Sequence, residues 1–407
     1  MKNFIFILAG LVFFSACREE SCTQVYYDYE PIYMSAEELE NFTFEAPRDI
    51  EIPGKIYVYK NLLLVNEVHR GIHFFDNSDQ TNPVNLGFLK IKGNVDIAIK
   101  DDILYADSYT AMLAIDIKNP TQPQKIGAER DAFNGFYHYD VENEAYLVDY
   151  IITETEQRVD CNDEFFFEDF IVNAGGVSSD ANAVQTGQGG SFARFAIEND
   201  YLYTVDFSTI TTYDISNPEN LAQLNSTNIG WGIETIFPYE DHFFIGAIEG
   251  LYIFDKADPS NPQYVSEFVH ARACDPVVVQ DDLAYVTLRS GNTCDGFTNQ
   301  LDVIDVSEIT EPQLLASHTM DSPHGLGIKD DFLYICDGYS GVKVFDHTDS
   351  YAINENLLAQ VPDHFAYDII LLNNNTAIVL GLSDFYQYDV SDPSNIQLLS
   401  SIKYYPQ

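Results

Sequence analysis

Residue types suited to chemistry recur at one register of an internal repeat. Seven positions before the polar residue that precedes the second apolar run of each unit lie Glu234, Asp275, His324 and Asp368 in the last four copies. Gly54, Val95, Tyr137 and Ala193 occupy that register in the first four, and one position further on lie Lys55, Asp96, His138, Arg194 and Thr235. Carboxylates and an imidazole gathered at one rim could hold a divalent cation, and hard oxygen donors favour calcium over zinc. The same set, with Asp96 and Arg194, could instead take a small polar ligand. The plainer reading is that inner strands line a wet channel with polar groups, and a slip of one residue would turn a side chain to the other face. Glu234 and Asp275 are the pair that would act as acid and base in a hydrolase or lyase working on a glycan or ester. No GxSxG elbow, HExxH helix or phosphate-cradling glycine loop accompanies them. A binding or scaffold role is therefore expected ahead of catalysis.

The elements that would position these residues follow from the repeat. Its form is a polar pair, an apolar run, a short turn, a second apolar run ending in Asp, and a Pro-containing turn. It reads DDILYADSYTAMLAIDIKNPTQP at 101–123, NDYLYTVDFSTITTYDISNP at 199–218, EDHFFIGAIEGLYIFDKADPSNP at 240–262 and DDFLYICDGYSGVKVFDHTD at 330–349. Variants at 61–83, 281–312 and 375–393 complete seven units, and NEAYLVDY at 143–150 is a partial eighth. The anchors Asn61, Asp102, Glu144, Asp200, Asp241, Asp282, Asp331 and Asn375 are spaced by 41, 42, 56, 41, 41, 49 and 44 residues. A period near 41 with four strand-length runs predicts an all-β fold, a single β-propeller of four-stranded blades. Eight blades with a degenerate third are favoured, and seven with an inserted hairpin are the alternative. Asp76, Asp116, Asp214, Asp255, Asp305, Asp346 and Asp389 close the third strands, and each is expected to fix a turn by accepting backbone N–H bonds.

The runs LDVID (301–305), LYIFD (251–255), VKVFD (342–346) and LAID (113–116) resemble the LVIVD repeat of bacterial surface and secreted proteins. WGIETIFPY (231–239), ACDPVVV (273–279) and AYVTLRSG (284–291) are similar to lipoprotein members of that family. The resemblance spans about residues 50–400. It implies an extracytoplasmic propeller with no established reaction, and fold does not carry function across such a superfold. In that geometry the starts of the first strands and the loops between second and third strands surround the channel mouth. Cys274 and Cys294 both map there and form the expected disulfide. Cys22 and Cys161 could pair, and Cys336, in the strand LYIC, is expected as a buried free thiol.

Lys2 and the apolar run from Phe4 to Phe14 suit a secretory signal, too short to span a bilayer. Ser15-Ala16-Cys17 resembles a lipobox, which predicts a signal peptide at 1–16 and lipid on Cys17. Arg18-Glu19-Glu20 resembles a tether for the outer face of the outer membrane, so a surface-exposed lipoprotein is expected. Residues 17–50 are read as tether and arm, in which Ser35-Ala36-Glu37-Glu38 is a capping box opening a short helix near 37–42. Residues 51–407 are read as the propeller, with a flexible insertion at about 159–191. CNDEFFFEDF (161–170) in that insertion is a candidate lid or partner patch, and near Asp160, Asn162, Asp163 and Glu164 a solvated acidic loop is expected ahead of a calcium loop, since EF-hand spacing is missing. The net charge of −44, from 20 Lys and Arg against 64 Asp and Glu, excludes nucleic acid and a polybasic membrane contact. The expected partners are the membrane, through the N-terminal lipid, and a protein or glycan at the channel mouth.

Overall fold

A computed structural model describes residues 21–51, 53–133, 137–160, 188–189, 194–269, 276–290 and 298–404. Seven stretches, at 53–90, 97–129, 195–228, 233–269, 277–319, 326–361 and 368–403, each fold into four consecutive antiparallel strands. Thr43–Glu45 extends the first sheet at its outer edge and Gln188–Gly189 at its inner edge.

Local chemistry repeats from sheet to sheet. The polar pair before each second strand supplies a residue with positive φ: Lys60, Asp101, Asn199, Glu240, Asp281, Asp330 and Asn375 lie between 45° and 62°. That conformation belongs to tight hairpin turns and is tolerated best by Asn and Asp among residues with a Cβ. The Asp that ends each third strand accepts the N–H two residues on, at 2.9 Å for Asp76, 2.8 Å for Asp116, 2.8 Å for Asp214, 2.6 Å for Asp255, 3.0 Å for Asp305, 2.9 Å for Asp346 and 2.9 Å for Asp389. All seven therefore make the turn that the repeat predicts. Hydrogen bonds from Ser307 hold the Asp305 carboxyl below its ordinary range, and Thr348 does the same for Asp346. A register shift recurs between the third and fourth strands of all seven four-stranded stretches, as between Thr212 and Tyr213 or Val303 and Ile304. Such bulges add twist to the outer strand.

The sheets pack through their faces in chain order. Leu64, Phe74, Leu104 and Leu113 join the first sheet to the second, and Tyr203, Phe243 and Ile245 join the third to the fourth. Val65 and Phe75 of the first meet Ile378 and Phe385 of the seventh. Each such side chain is almost wholly buried, and burying one contributes about 1.5–3 kcal/mol.

Two expectations are corrected here. Among the described residues the third repeat makes no four-stranded unit: Ala145–Asp160 runs on for 16 residues and lies between Ser21–Met34 and His138–Asp140 in a three-stranded sheet. Its stretch Asp149-Tyr150-Ile151-Ile152-Thr153 has no Gly, Pro or Asn at which a hairpin could turn back, whereas its β-branched residues favour continuation. The eight expected four-stranded units therefore fall to seven. Among the described residues none of the sheets closes on itself, and the single β-propeller read from the repeat is replaced by an all-β array of open antiparallel sheets.

The chain divides into two compact units. One takes the described parts of Met1–Tyr33 and Leu147–Gly176, in which Tyr29 and Tyr150 meet edge to face at 6.2 Å. The other takes Met34–Tyr146 and Val177–Gln407, with all seven four-stranded sheets. In this second unit Ser35 caps the helix Ala36–Leu39, its hydroxyl accepting from Glu38 N while the Glu38 carboxylate accepts from Ser35 N. The capping box is as expected, and the helix is shorter than the 37–42 reading.

Candidate functional site

Antiparallel order places the start of each first strand beside the turn between the second and third strands. Ile97 pairs with Ala106, Ile233 with Ala247 and Asp368 with Leu380. At this end, polar side chains connect neighbouring sheets. Lys55 Nζ donates to Asp96 Oδ2 at 2.6 Å, with the two side chains 2% and 6% exposed. Asp96 also accepts the N–H of Arg194 at 3.0 Å and that of Ile97 at 2.8 Å. Lys55, Asp96 and Arg194, predicted at one register, thus meet across the first three sheets. Arg194 contributes its backbone. Asp107 adds a fixed acceptor: one of its oxygens takes Asn94 Nδ2 at 2.7 Å, Val95 N at 2.8 Å and Asp96 N at 2.9 Å. Burial outweighs these bonds and pushes the Asp107 carboxyl up to about 7.

The remaining predicted residues follow a different logic. Glu234 is the extra residue of a bulge, since Ile233 and Thr235 pair with successive partners Ala247 and Gly246. It is 9% exposed, and the bulge rather than strand alternation aims its side chain. His324 Nδ1 lies 2.7 Å from the Ser322 carbonyl, which can only accept, so that nitrogen carries the proton. Phe365 and Tyr367 flank the imidazole, each with its ring centre at 5.2 Å. Burial drives the His324 pKa down to about 4, which keeps the ring neutral. Asp368 packs over Gly325 so closely that a Cβ there would fall 2.1 Å from its carboxylate oxygen, and glycine is required. His324 and Asp368 are thereby brought to adjoining sheets.

Asp275 lies outside the described residues, as do Cys17, Cys161, Cys274 and Cys294 and the insertion's Asn162, Asp163 and Glu164. No disulfide occurs among the described residues, where Cys336 is free and buried, and the expected Cys274–Cys294 pair lies outside them. Burial pushes its thiol up. Among the described residues no three or more His, Cys, Asp or Glu side chains are placed to hold a metal. The calcium set expected from Glu234, His324 and Asp368 is therefore not assembled by them.

Two features escaped the sequence reading. Acids five or six residues after the anchor, Glu67, Asp107, Asp206 and Asp337, end or follow second strands in four repeats, a pattern visible in the aligned copies. Asp206 accepts from Ser208 N and Thr209 N, and Asp337 from Ser322 N at 2.6 Å and Lys343 Nζ at 2.6 Å. Aromatic pairs also decorate this end. Trp231 stands edge-on to Phe207 at 4.5 Å, and Tyr339 to Phe365 at 4.9 Å, with Trp231 72% and Tyr339 79% exposed. Their signal was the placement of aromatics in second-to-third-strand turns and just before first strands.

Residues 189–228 and 272–319 match the family model described as the LVIVD repeat. These two stretches are less than a quarter of the chain, so the resemblance read over about 50–400 contracts to them. With the fold correction above, it no longer carries the reading of a propeller lipoprotein of that family. Comparison with curated protein sequences finds no match. Among solved structures, a Lactobacillus plantarum protein is similar at a TM-score of 0.57 and 12% identity, over 87% of this chain and 97% of that one. A Pseudomonas aeruginosa periplasmic gluconolactonase has a TM-score of 0.56 and 9% identity, over 86% and 96%. A computationally designed protein, Ika8, has a TM-score of 0.54 and 12% identity, over 89% and 90%. At these identities the likeness is one of fold alone: natural proteins, one of them an enzyme, and a designed chain share this all-β arrangement.

Proposed function

We propose that this chain is an extracytoplasmic binding module, tethered through lipid on Cys17, that takes a protein or glycan partner at the end of the sheets where the second-to-third-strand turns lie. The observation that carries this reading is the pair of exposed aromatic clusters, Trp231 on Phe207 and Tyr339 on Phe365. Large aromatic rings left in water at a few rigid points are what recognition surfaces use, because they supply apolar area at little entropic cost. At the same end the buried Lys55–Asp96 pair holds neighbouring sheets together. Localisation outside the cytoplasm rests on the Phe4–Phe14 run and the Ser15-Ala16-Cys17 sequence, and placement at the outer membrane on Arg18-Glu19-Glu20. The test is capture of membrane proteins and binding to a glycan array by the double variant Trp231→Ala and Tyr339→Ala. Loss of at least about tenfold is expected, with no loss from Tyr351→Ala, which removes an exposed ring elsewhere. Equal binding by both variants would refute the assignment of the face.

A further inference from the structure

The outer strands of the third and fourth sheets border a cavity of about 570 Å³. Thr227 and Asn228 line it from the third sheet, and Phe254, Asn261, Gln263 and Tyr264 from the fourth and its last turn. None of the described residues lining it is charged, although 21% of the chain is. One amide ties the two sides together. Asn225 Nδ2 donates to Thr227 Oγ1 at 2.9 Å and to Asn261 Oδ1 at 2.8 Å. Asn261 therefore keeps its Nδ2 as a donor, and Thr227 keeps its hydroxyl proton. Gln263 Nε2 donates to the Asn261 carbonyl at 2.9 Å, which leaves Oε1 to accept. Asn228 is exposed and adds both a donor and an acceptor. The turn that carries Asn261 is held at two carbonyls: Asp258 O accepts Asn261 N at 3.0 Å, and Pro259 O accepts the Tyr203 hydroxyl at 2.8 Å. Tyr264, 54% exposed, stands edge to face with the buried Phe254 at 5.8 Å.

From this lining we infer a binding site for a neutral sugar. A hydroxyl donates and accepts at one atom, so donors and acceptors set side by side match a ring of hydroxyls. The Tyr264 and Phe254 rings offer apolar area to the C–H face that such a ring also has. Charge narrows the class. No carboxylate lines the cavity to pair with a cation. An acid would meet Asp258 in the adjoining turn and Glu267, whose charge acts on the Tyr264 phenol, within a chain of net charge −44. The volume falls within the roughly 300–1,000 Å³ of small-molecule sites. Trp231 is not among the lining residues, and the site holds whether or not that ring takes a partner.

Titration of the full chain with glucose, galactose, mannose and N-acetylglucosamine, followed by NMR or calorimetry, tests the inference, with glucuronate, choline and a blocked triglycine as comparisons. Saturable one-to-one binding of at least one of the neutral sugars is expected, tighter than that of any comparison. Asn228→Ala should weaken it about fivefold, the worth of one hydrogen bond, and Tyr264→Ala about three- to tenfold. Both side chains are exposed, so both variants should fold. Tyr351→Ala, which removes an exposed ring elsewhere, should leave the affinity unchanged. Binding of none of the neutral sugars, a comparison that binds as tightly, or an unchanged affinity in either Asn228→Ala or Tyr264→Ala would overturn it.

Discussion

Replacing Lys55 by Met removes the ammonium that lies 2.6 Å from Asp96 Oδ2 while keeping most of the side chain's volume. Asp96 is 4% exposed and cannot recover its solvation from water. Breaking such a buried pair from one side costs about 3–5 kcal/mol, because the remaining charge is left in a poorly polarisable site. Two donors stay in place, the N–H groups of Ile97 and Arg194, so the lower end, about 3 kcal/mol, is expected. In Lys55→Met with Asp96→Asn the stranded charge is gone. One amide oxygen replaces two acceptors, and the deficit should shrink to about 1–2 kcal/mol, the value of a lost hydrogen bond at a buried donor. Urea unfolding followed by circular dichroism, on the wild type, both single variants and the double, gives the coupling directly. A cost below about 1 kcal/mol for Lys55→Met, which is what an exposed pair contributes, would refute the argument. So would a double variant no more stable than the single.

Two further expectations concern pH. The Asp107 carboxyl, raised by burial to about 7 from 3.8, binds its proton more readily in the folded chain than in the unfolded one. Its contribution is therefore present at low pH and lost as pH rises from about 4 to 7, by roughly 4 kcal/mol; Asp107→Asn should abolish this slope in urea titrations, and an unchanged slope would count against it. His324, lowered by burial to about 4 from 6.5, works in the opposite sense, giving stability that is lost as pH falls from about 6.5 to 4. Side-chain NMR should find its ring neutral at pH 6 with the proton on Nδ1, and a midpoint near 6.5 would contradict the burial argument.

Much of the architecture was legible because it depends on neighbours in sequence. The seven turn aspartates could be assigned from their spacing alone, since each carboxylate bonds the N–H only two residues away. The capping box at Ser35 and Glu38 is equally local. The candidate site was legible only in part. Lys55, Asp96 and Arg194 were aligned by the repeat, and the structure joins them. Glu234 shares the register of His324 and Asp368 but sits on a bulge, and one extra residue in a strand leaves no trace in apolar spacing.

Amino-acid order by itself determined an all-β chain of short hairpin units, the turn chemistry between strands and the large negative charge, all of which follow from side chains acting on nearby backbone. Tertiary structure alone decided that the third repeat continues as a long strand, because its missing turn matters only once Ser21–Met34 lies alongside to pair with it. It also decided where the scarce cations go. Arg48 reaches Glu67 from 19 residues away and joins the neighbouring Arg70 there, since a buried carboxylate must be neutralised by whatever cations the fold brings within reach.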